Sequence, residues 1–346
     1  MKTIFVVDDN DTNLMTAKTA LDKTYKTFAL PSAAKMFKLL EKITPDLILL
    51  DVDMPEVSGF EAMKQLKADA KLKTVPVIFL TARNDAETEI SGFEMGALDF
   101  INKPFSPPVL IKRIETHIEM DKTIKKAKSD VRSIHNATIN VISDLVESRD
   151  KVTGGHIERT QRYIEILLKE LIHIGVYADE ISKWDIDLLL PSAQLHDVGK
   201  ISISDIILNK PGKLTNEEFE IIKSHCAEGK RIIDMIINKT EDDGFLFHAR
   251  QFAYTHHEKW NGTGYPEKLS GENIPLEGRI MAIADVYDAL VSERPYKKAF
   301  AHEEAVEIIN KDSGTHFDPK IVEAFLNVAD DFWVELMNFR SQYSGN

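Results

Sequence analysis

At 346 residues with 43% hydrophobic content, the chain exceeds the usual size of one domain and can build two ordinary cores. A net charge of −13 argues against DNA as a partner, since phosphate binding calls for a basic face. The lone Cys226 excludes an intramolecular disulfide, no stretch approaches the roughly 20 apolar residues that span a bilayer, and MKTIFVVDDN enters a charged strand end instead of a signal-peptide core, so a cytoplasmic protein without membrane association is expected.

In chain order, IFVVDDN reads as an apolar strand ending in Asp8 and Asp9. DLILLDVDMP places Asp51 at a second strand end, VPVIFLTA ends with Thr81, and LDFINKPF ends with Lys103. Such strand ends meet at the carboxyl edge of one parallel sheet, where open α/β folds put their sites. The constellation resembles a response-regulator receiver domain, which implies a doubly wound α/β fold with a five-stranded parallel sheet over residues 1–120. The resemblance further implies Asp51 as phosphoacceptor and a sensor histidine kinase as partner. It implies magnesium held by Asp8, Asp9, Asp51 and the backbone carbonyl of Asp53, in keeping with that ion's preference for oxygen. Thr81, Phe100 and Lys103 are then the residues that respond to the phosphoryl group.

Residues 107–147 read as one long helix, without Gly or Pro after Pro108. Ile124, Ala127, Val131, Ile134, Thr138 and Val141 step three and four apart, the heptad pattern of a helix that pairs with another. An amphipathic helix lying on its own domain fits the same pattern; pairing would make a homodimer.

The rest, residues 148–340, reads as nearly all α, with amphipathic stretches at 156–174, 181–195, 216–237, 247–257, 279–290, 302–310 and 319–337. Thr215 followed by Glu218 is a capping-box signal for the helix carrying His225. His156, His196, Asp197, His225, His256, His257 and Asp285 are the residue types of a multinuclear metal site: each imidazole gives one nitrogen ligand, and a carboxylate can bridge two ions. Asp285 lies among apolar neighbours in RIMAIADVYDAL, where an unpaired carboxylate costs several kcal/mol unless a positive group sits beside it.

The strings HDVGK, KPGKLTNEEFEIIKSH, HHEKWNGTGYP, RIMAIADVYDALVSERPYKKAF and SGTHFDP resemble, in order, the signature blocks of the HD-GYP family of cyclic dinucleotide phosphodiesterases, a branch of the HD superfamily. The resemblance implies an all-α domain with two metals bridged by Asp197. His156, His196 and Asp285 fall mainly to one ion, and His225, His256 and His257 to the other. Iron is favoured, with manganese, nickel or zinc also suited to the donors. Such a pair of ions lowers the pKa of a shared water, implying hydrolysis of cyclic di-GMP, with either pGpG or GMP as the end product. Asp197 and Lys200 are the expected catalytic residues. Lys200, Tyr265, Asp288, Arg294 and Lys297 are expected to contact substrate, Asp288 through a guanine edge. Alternatives are 3′3′-cyclic GMP-AMP as substrate, or a non-catalytic dinucleotide-sensing or partner-docking module. Some family members hold a third metal through a carboxylate one turn before the first histidine; here that position is Val152, so two metals are expected unless Glu147 or Asp150 reaches in.

Overall fold

The computed structural model describes residues 1–82, 86–149, 155–240, 244–293 and 298–343. The chain divides into two compact units, Met1–Val131 and Arg132–Asn346.

In the first unit, β1 (Thr3–Val7), β2 (Lys26–Leu30), β3 (Leu47–Asp51), β4 (Val77–Thr81) and β5 (Asp99–Asn102) form one parallel sheet in the order β2-β1-β3-β4-β5. Its central strands are apolar along their whole length because both faces are covered. Phe5, Val7, Ile48, Leu50 and Phe79 pack on one side with α2 (Ala33–Leu40) and α3 (Gly59–Ala68). Ile4, Val6, Leu47, Leu49 and Leu80 pack on the other with α1 (Asp11–Leu21) and the start of α5 (Pro107–Glu147). The remaining helix is α4 (Ala86–Glu94). Strand order reverses between β1 and β3, so the loops leaving them diverge and open a crevice at their carboxyl ends.

Helix α5 is continuous over 41 residues. Leu110 and Ile114 are buried in the first unit, and Ile139 and Val146 in the second. Between them Met120, Ile124, Val131, Ile134, Val141 and Leu145 are exposed, so the stripe read from the sequence gains Met120 and Leu145 at its ends.

The second unit is helical: α6 (His156–His173), α7 (Ala178–Ile181), α8 (Ile186–Ser192), α9 (Asp205–Leu208), α10 (Asn216–Ile237), α11 (Phe245–Thr255), α12 (Leu276–Val291), α13 (His302–Lys311) and α14 (Pro319–Tyr343). Its main core joins α6, α12 and α14 through Tyr163, Leu167, Tyr287, Phe325 and Phe332, with the Tyr163 and Phe332 rings stacked 4.5 Å apart. The stretch expected as one helix over 181–195 is instead α7, α8 and a 3₁₀ turn at Ala193–Leu195, with a second 3₁₀ turn at Val198–Ser202. Pro191 lies inside α8, removing one backbone donor where the α-helix gives way. His196 and Asp197 therefore sit between two tight turns instead of at a helix end. No helix among the described residues is long and apolar enough to cross a membrane.

Candidate metal centre and its cavity

In the first unit, Asp8, Asp9 and Asp51 each offer an oxygen within 4.8 Å of the others. Lys103 Nζ lies 2.7 Å from both Asp8 Oδ2 and Asp51 Oδ1. Burial, with Asp8 adding to it, raises the Asp51 carboxyl above its ordinary range against the pull of Lys103. The Asp53 amide donates to Asp51 Oδ1 at 3.3 Å. Thr81 is buried at the end of β4, and Phe100 lies between the rings of Phe79 and Phe93 at 5.3 and 5.1 Å. Three carboxylates at a sheet edge with one lysine suit a small oxygen-seeking cation and a phosphoryl group.

In the second unit, Nδ1 of three histidines donates to a backbone carbonyl of its own segment: His196 to Ala193 at 3.0 Å, His225 to Ile222 at 2.7 Å, and His256 to Phe252 at 2.8 Å. His156 Nδ1 donates to Asp288 Oδ2 at 2.8 Å. Fixing the proton on Nδ1 leaves the Nε2 lone pair facing inward, the tautomer that metal-ligating histidines are held in.

The inward atoms form two clusters, His156 with His196 and Asp285, and His225 with His256 and His257, each within 4.8 Å. Asp197 stands between them. Its Oδ2 is 3.4 Å from His196 Nε2, and its Oδ1 is 3.4 Å from His225 Nε2 and 3.8 Å from His256 Nε2. One carboxylate thus offers an oxygen to each cluster. In the second cluster the Nε2 atoms of His225 and His256 are 3.3 Å apart. With both Nδ1 atoms protonated these are two lone pairs in contact, repulsive unless a cation lies between them. His196 Nε2 and Asp197 Oδ1 are buried without a hydrogen-bond partner, a cost that metal ligation removes.

Burial and the neighbouring histidines push His256 well below its ordinary value and His257 down to about 3, which keeps these imidazoles neutral. Burial opposes ionisation of Asp197, but Lys200, His196 and His225 together hold it well below the carboxylate range. Lys200 Nζ is 2.8 Å from Asp197 Oδ2.

Two glycines permit this approach. A Cβ on Gly199 would lie 1.9 Å from the His225 carbonyl oxygen, so only glycine lets the 3₁₀ turn press against α10. A Cβ on Gly264 would lie 2.3 Å from the Lys259 nitrogen and 2.6 Å from the His257 carbonyl oxygen. The loop after His257 folds tightly there, pinned by Glu258, whose carboxylate accepts the amides of Glu267 and Leu269 at 2.7 and 3.0 Å. This brings the Tyr265 ring to 4.8 Å from that of His257.

The clusters open into a cavity of about 390 Å³ lined by His156, Asp197, Lys200, His225, His257, Tyr265 and Asp285, with Ser143, Val146 and Glu147 of α5 in the same wall. Glu147 accepts the His156 amide at 3.2 Å, and burial raises its carboxyl.

One expectation is corrected. Asp288 does not offer its carboxylate to a guanine: it is 1% exposed, with Oδ1 accepting from Arg159 Nε at 2.6 Å and Oδ2 from Arg159 Nη2 and His156 Nδ1, both at 2.8 Å. It orients His156. Arg159, its partner, is a functional residue whose signature in the sequence is a guanidinium three residues after His156 on the apolar face of α6. Arg294, Lys297, Asp150 and Val152 lie outside the described residues.

Residues 140–321 match the HD domain family, and residues 4–115 match the response regulator receiver domain family. A Vibrio cholerae protein named "Probable cyclic di-GMP phosphodiesterase" is 38% identical over 345 residues, covering 95% of this chain and 78% of its own. The Xanthomonas campestris protein named "Cyclic di-GMP phosphodiesterase response regulator RpfG" is 34% identical over 288 residues, covering 81% of this chain and 75% of its own. The Vibrio cholerae "3'3'-cGAMP-specific phosphodiesterase 2" is 38% identical over a shorter stretch of 203 residues, 59% of this chain and 36% of its own. This chain belongs to the HD domain family, among the response regulators that join a receiver domain to an HD domain and whose relatives bear the name cyclic di-GMP phosphodiesterase.

Proposed function

We propose that the protein is a metal-dependent phosphodiesterase that hydrolyses cyclic di-GMP to linear pGpG, and on to GMP, under control of phosphorylation at Asp51. The observation that carries this reading is the convergence of Nε2 atoms on two neighbouring points with Asp197 between them. His156, His196 and Asp285 would hold one ion, and His225, His256 and His257 the other. The ions would supply Lewis acidity toward the phosphodiester and an acidified water. Among the candidate metals we assign iron, with manganese, nickel and zinc as competitors for the same donors.

The chain's own residues prepare this chemistry. The carbonyls of Ala193, Ile222 and Phe252 and the Asp288 carboxylate hold the proton on Nδ1 and keep the imidazoles aimed. Lys200, beside Asp197, adds positive charge where the phosphodiester gains negative charge in its transition state. Tyr265 closes one side of the cavity. Arg294 and Lys297 are proposed as further phosphate or base contacts from the sequence resemblance alone. The relatives that align along most of this chain carry the cyclic di-GMP name, whereas the cyclic GMP-AMP enzyme aligns over less of it. A purely binding module has no need of seven aligned ligands.

In the first unit Asp8, Asp9, Asp51 and the Asp53 carbonyl would hold magnesium while Asp51 accepts a phosphoryl group from a histidine kinase, with Thr81, Phe100 and Lys103 responding. The exposed heptad stripe of α5 would pair with a second copy of the chain, giving a homodimer. The protein would work in the cytoplasm, where the kinase's receiver-facing side and cyclic dinucleotides reside.

The test is turnover of cyclic di-GMP by anaerobically purified, metal-loaded protein beside Asp197→Ala, with metal content measured on the same samples. Linear product from the wild type alone is expected. Two bound metals with no consumption of any cyclic dinucleotide would overturn the reading.

A further inference from the structure

Beside the cavity, one large aromatic side chain is left out of every core. Phe219, on the first turn of α10, keeps 47% of its surface exposed. Its ring stands edge-on to Tyr265, with centroids 6.5 Å apart and planes at 80°. Tyr265 in turn lies 4.8 Å from the ring of His257 and 6.5 Å from that of His225. A continuous aromatic surface therefore begins at the second imidazole cluster and runs outward from the cavity wall. Lys223, one turn along α10 from Phe219 and two residues before His225, holds its ammonium 5.2 Å from the Phe219 centroid and 5.7 Å from the Tyr265 centroid. Its ion pair is with Glu220, which is largely exposed, and such pairs hold a lysine weakly.

We propose that the exposed ring of Phe219 is a stacking shelf for one purine base of the substrate, with Tyr265, whose plane stands at 80° to it, bordering the shelf edge-on, and that Lys223 attends the phosphate of that nucleotide. The inference rests on the phosphodiesterase reading, because it takes the imidazole clusters as the place where a phosphate sits. A nucleotide whose phosphate lies there has its base directed either into the cavity or out along the aromatic surface. The outward path offers π faces next to a cation, Lys223 at 5.2 and 5.7 Å from the two ring centroids, the pairing that nucleic-acid sites use to hold bases without reading their edges. An exposed phenylalanine costs solvation unless something flat covers it, and a purine does so. Stacking is tolerant of base identity because every base has a π face, so the shelf contributes affinity, and discrimination between guanine and adenine belongs elsewhere.

The experiment uses the full-length, metal-loaded protein with Phe219→Ala, Phe219→Trp and Lys223→Ala, and reads kcat, KM, metal content and fluorescence. For Phe219→Ala we expect KM to rise about 5- to 150-fold, the range seen when a stacking side chain is cut to alanine. The factor should be equal for cyclic di-GMP and 3′3′-cyclic GMP-AMP, with the loss in KM more than kcat. Phe219→Trp should restore KM, and its added fluorescence should be quenched by pGpG. Lys223→Ala should raise KM and weaken the dependence of KM on salt. An unchanged KM in Phe219→Ala, a changed ratio between the two dinucleotides, or lost metal would each overturn the shelf, the last by making Phe219 structural. If the wild type hydrolyses no cyclic dinucleotide, the phosphodiesterase reading fails by itself. Quenching of Phe219→Trp by pGpG would then still support the shelf, and absence of quenching would remove it.

Discussion

Replacing Asp288 by alanine separates its role in orienting His156 from a role in touching substrate. The carboxylate is buried, accepts two bonds from Arg159 and one from His156, and is held down to about 2: burial alone would raise it, and the hydrogen bonds from Arg159 and His156 overcome that. Removing it takes from the Arg159 guanidinium, itself 4% exposed, the carboxylate that it grips through Nε and Nη2. Breaking a buried pair by removing one partner costs about 3–5 kcal/mol, a large share of the roughly 5–15 kcal/mol that holds a domain folded. His156 also loses the acceptor that fixes its tautomer, and losing such an outer partner weakens metal binding about 10- to 100-fold. Urea unfolding followed by tryptophan emission reports on the second unit alone, because Trp184, Trp260 and Trp333 all lie there. The expected result for Asp288→Ala is a stability loss in that range together with weaker metal uptake. In Arg159→Leu/Asp288→Leu, apolar groups replace both charges, so much of the stability should return while the metal defect persists. A stability change below about 1 kcal/mol with normal metal uptake and a raised KM for cyclic di-GMP would refute this account and return Asp288 to the substrate.

Gly199→Ala should displace the 3₁₀ turn from α10, because its Cβ would meet backbone that cannot swing aside; metal analysis should show reduced occupancy, and unchanged occupancy with full activity would contradict the packing. Asp51→Asn should abolish phosphoryl uptake from a small-molecule phosphodonor in magnesium, and label retained in that variant would place the acceptor elsewhere. Ile134→Asp puts a charge at the centre of the α5 stripe and should convert a dimer to monomer in analytical ultracentrifugation; the same mass for both proteins would exclude pairing through this seam. Chelation should abolish phosphodiesterase activity and lower the thermal midpoint of the second unit, since ligands that bind only the folded state stabilise it; a midpoint indifferent to chelator would mean that the clusters hold no metal.

Sequence alone determined the identity of the elements whose pattern is local. The apolar runs at 4–7, 47–50 and 77–80 have the length and β-branched content of strands covered on both faces, and the polar groups that end them, Asp8, Asp51 and Thr81, gather at one edge. The Thr215–Glu218 capping box set the start of α10, and the structure has both of its bonds. The histidines could be recognised as a set because their chemistry has few other uses. Tertiary structure decided what depends on neighbours far apart in the chain. Asp285 and Asp288 sit one turn apart on α12, yet one faces the cavity and the other is closed in by Arg159 of α6, and nothing in their spacing distinguishes them. The division of seven ligands into two clusters about Asp197 likewise follows from five separate segments converging. Gly199 and Gly264 read as ordinary turn residues until the backbone pressed against each is seen. Periodicity reports which face of an element is buried, but the partner that buries it, and hence whether a charged side chain is satisfied or available, is a property of the packed molecule.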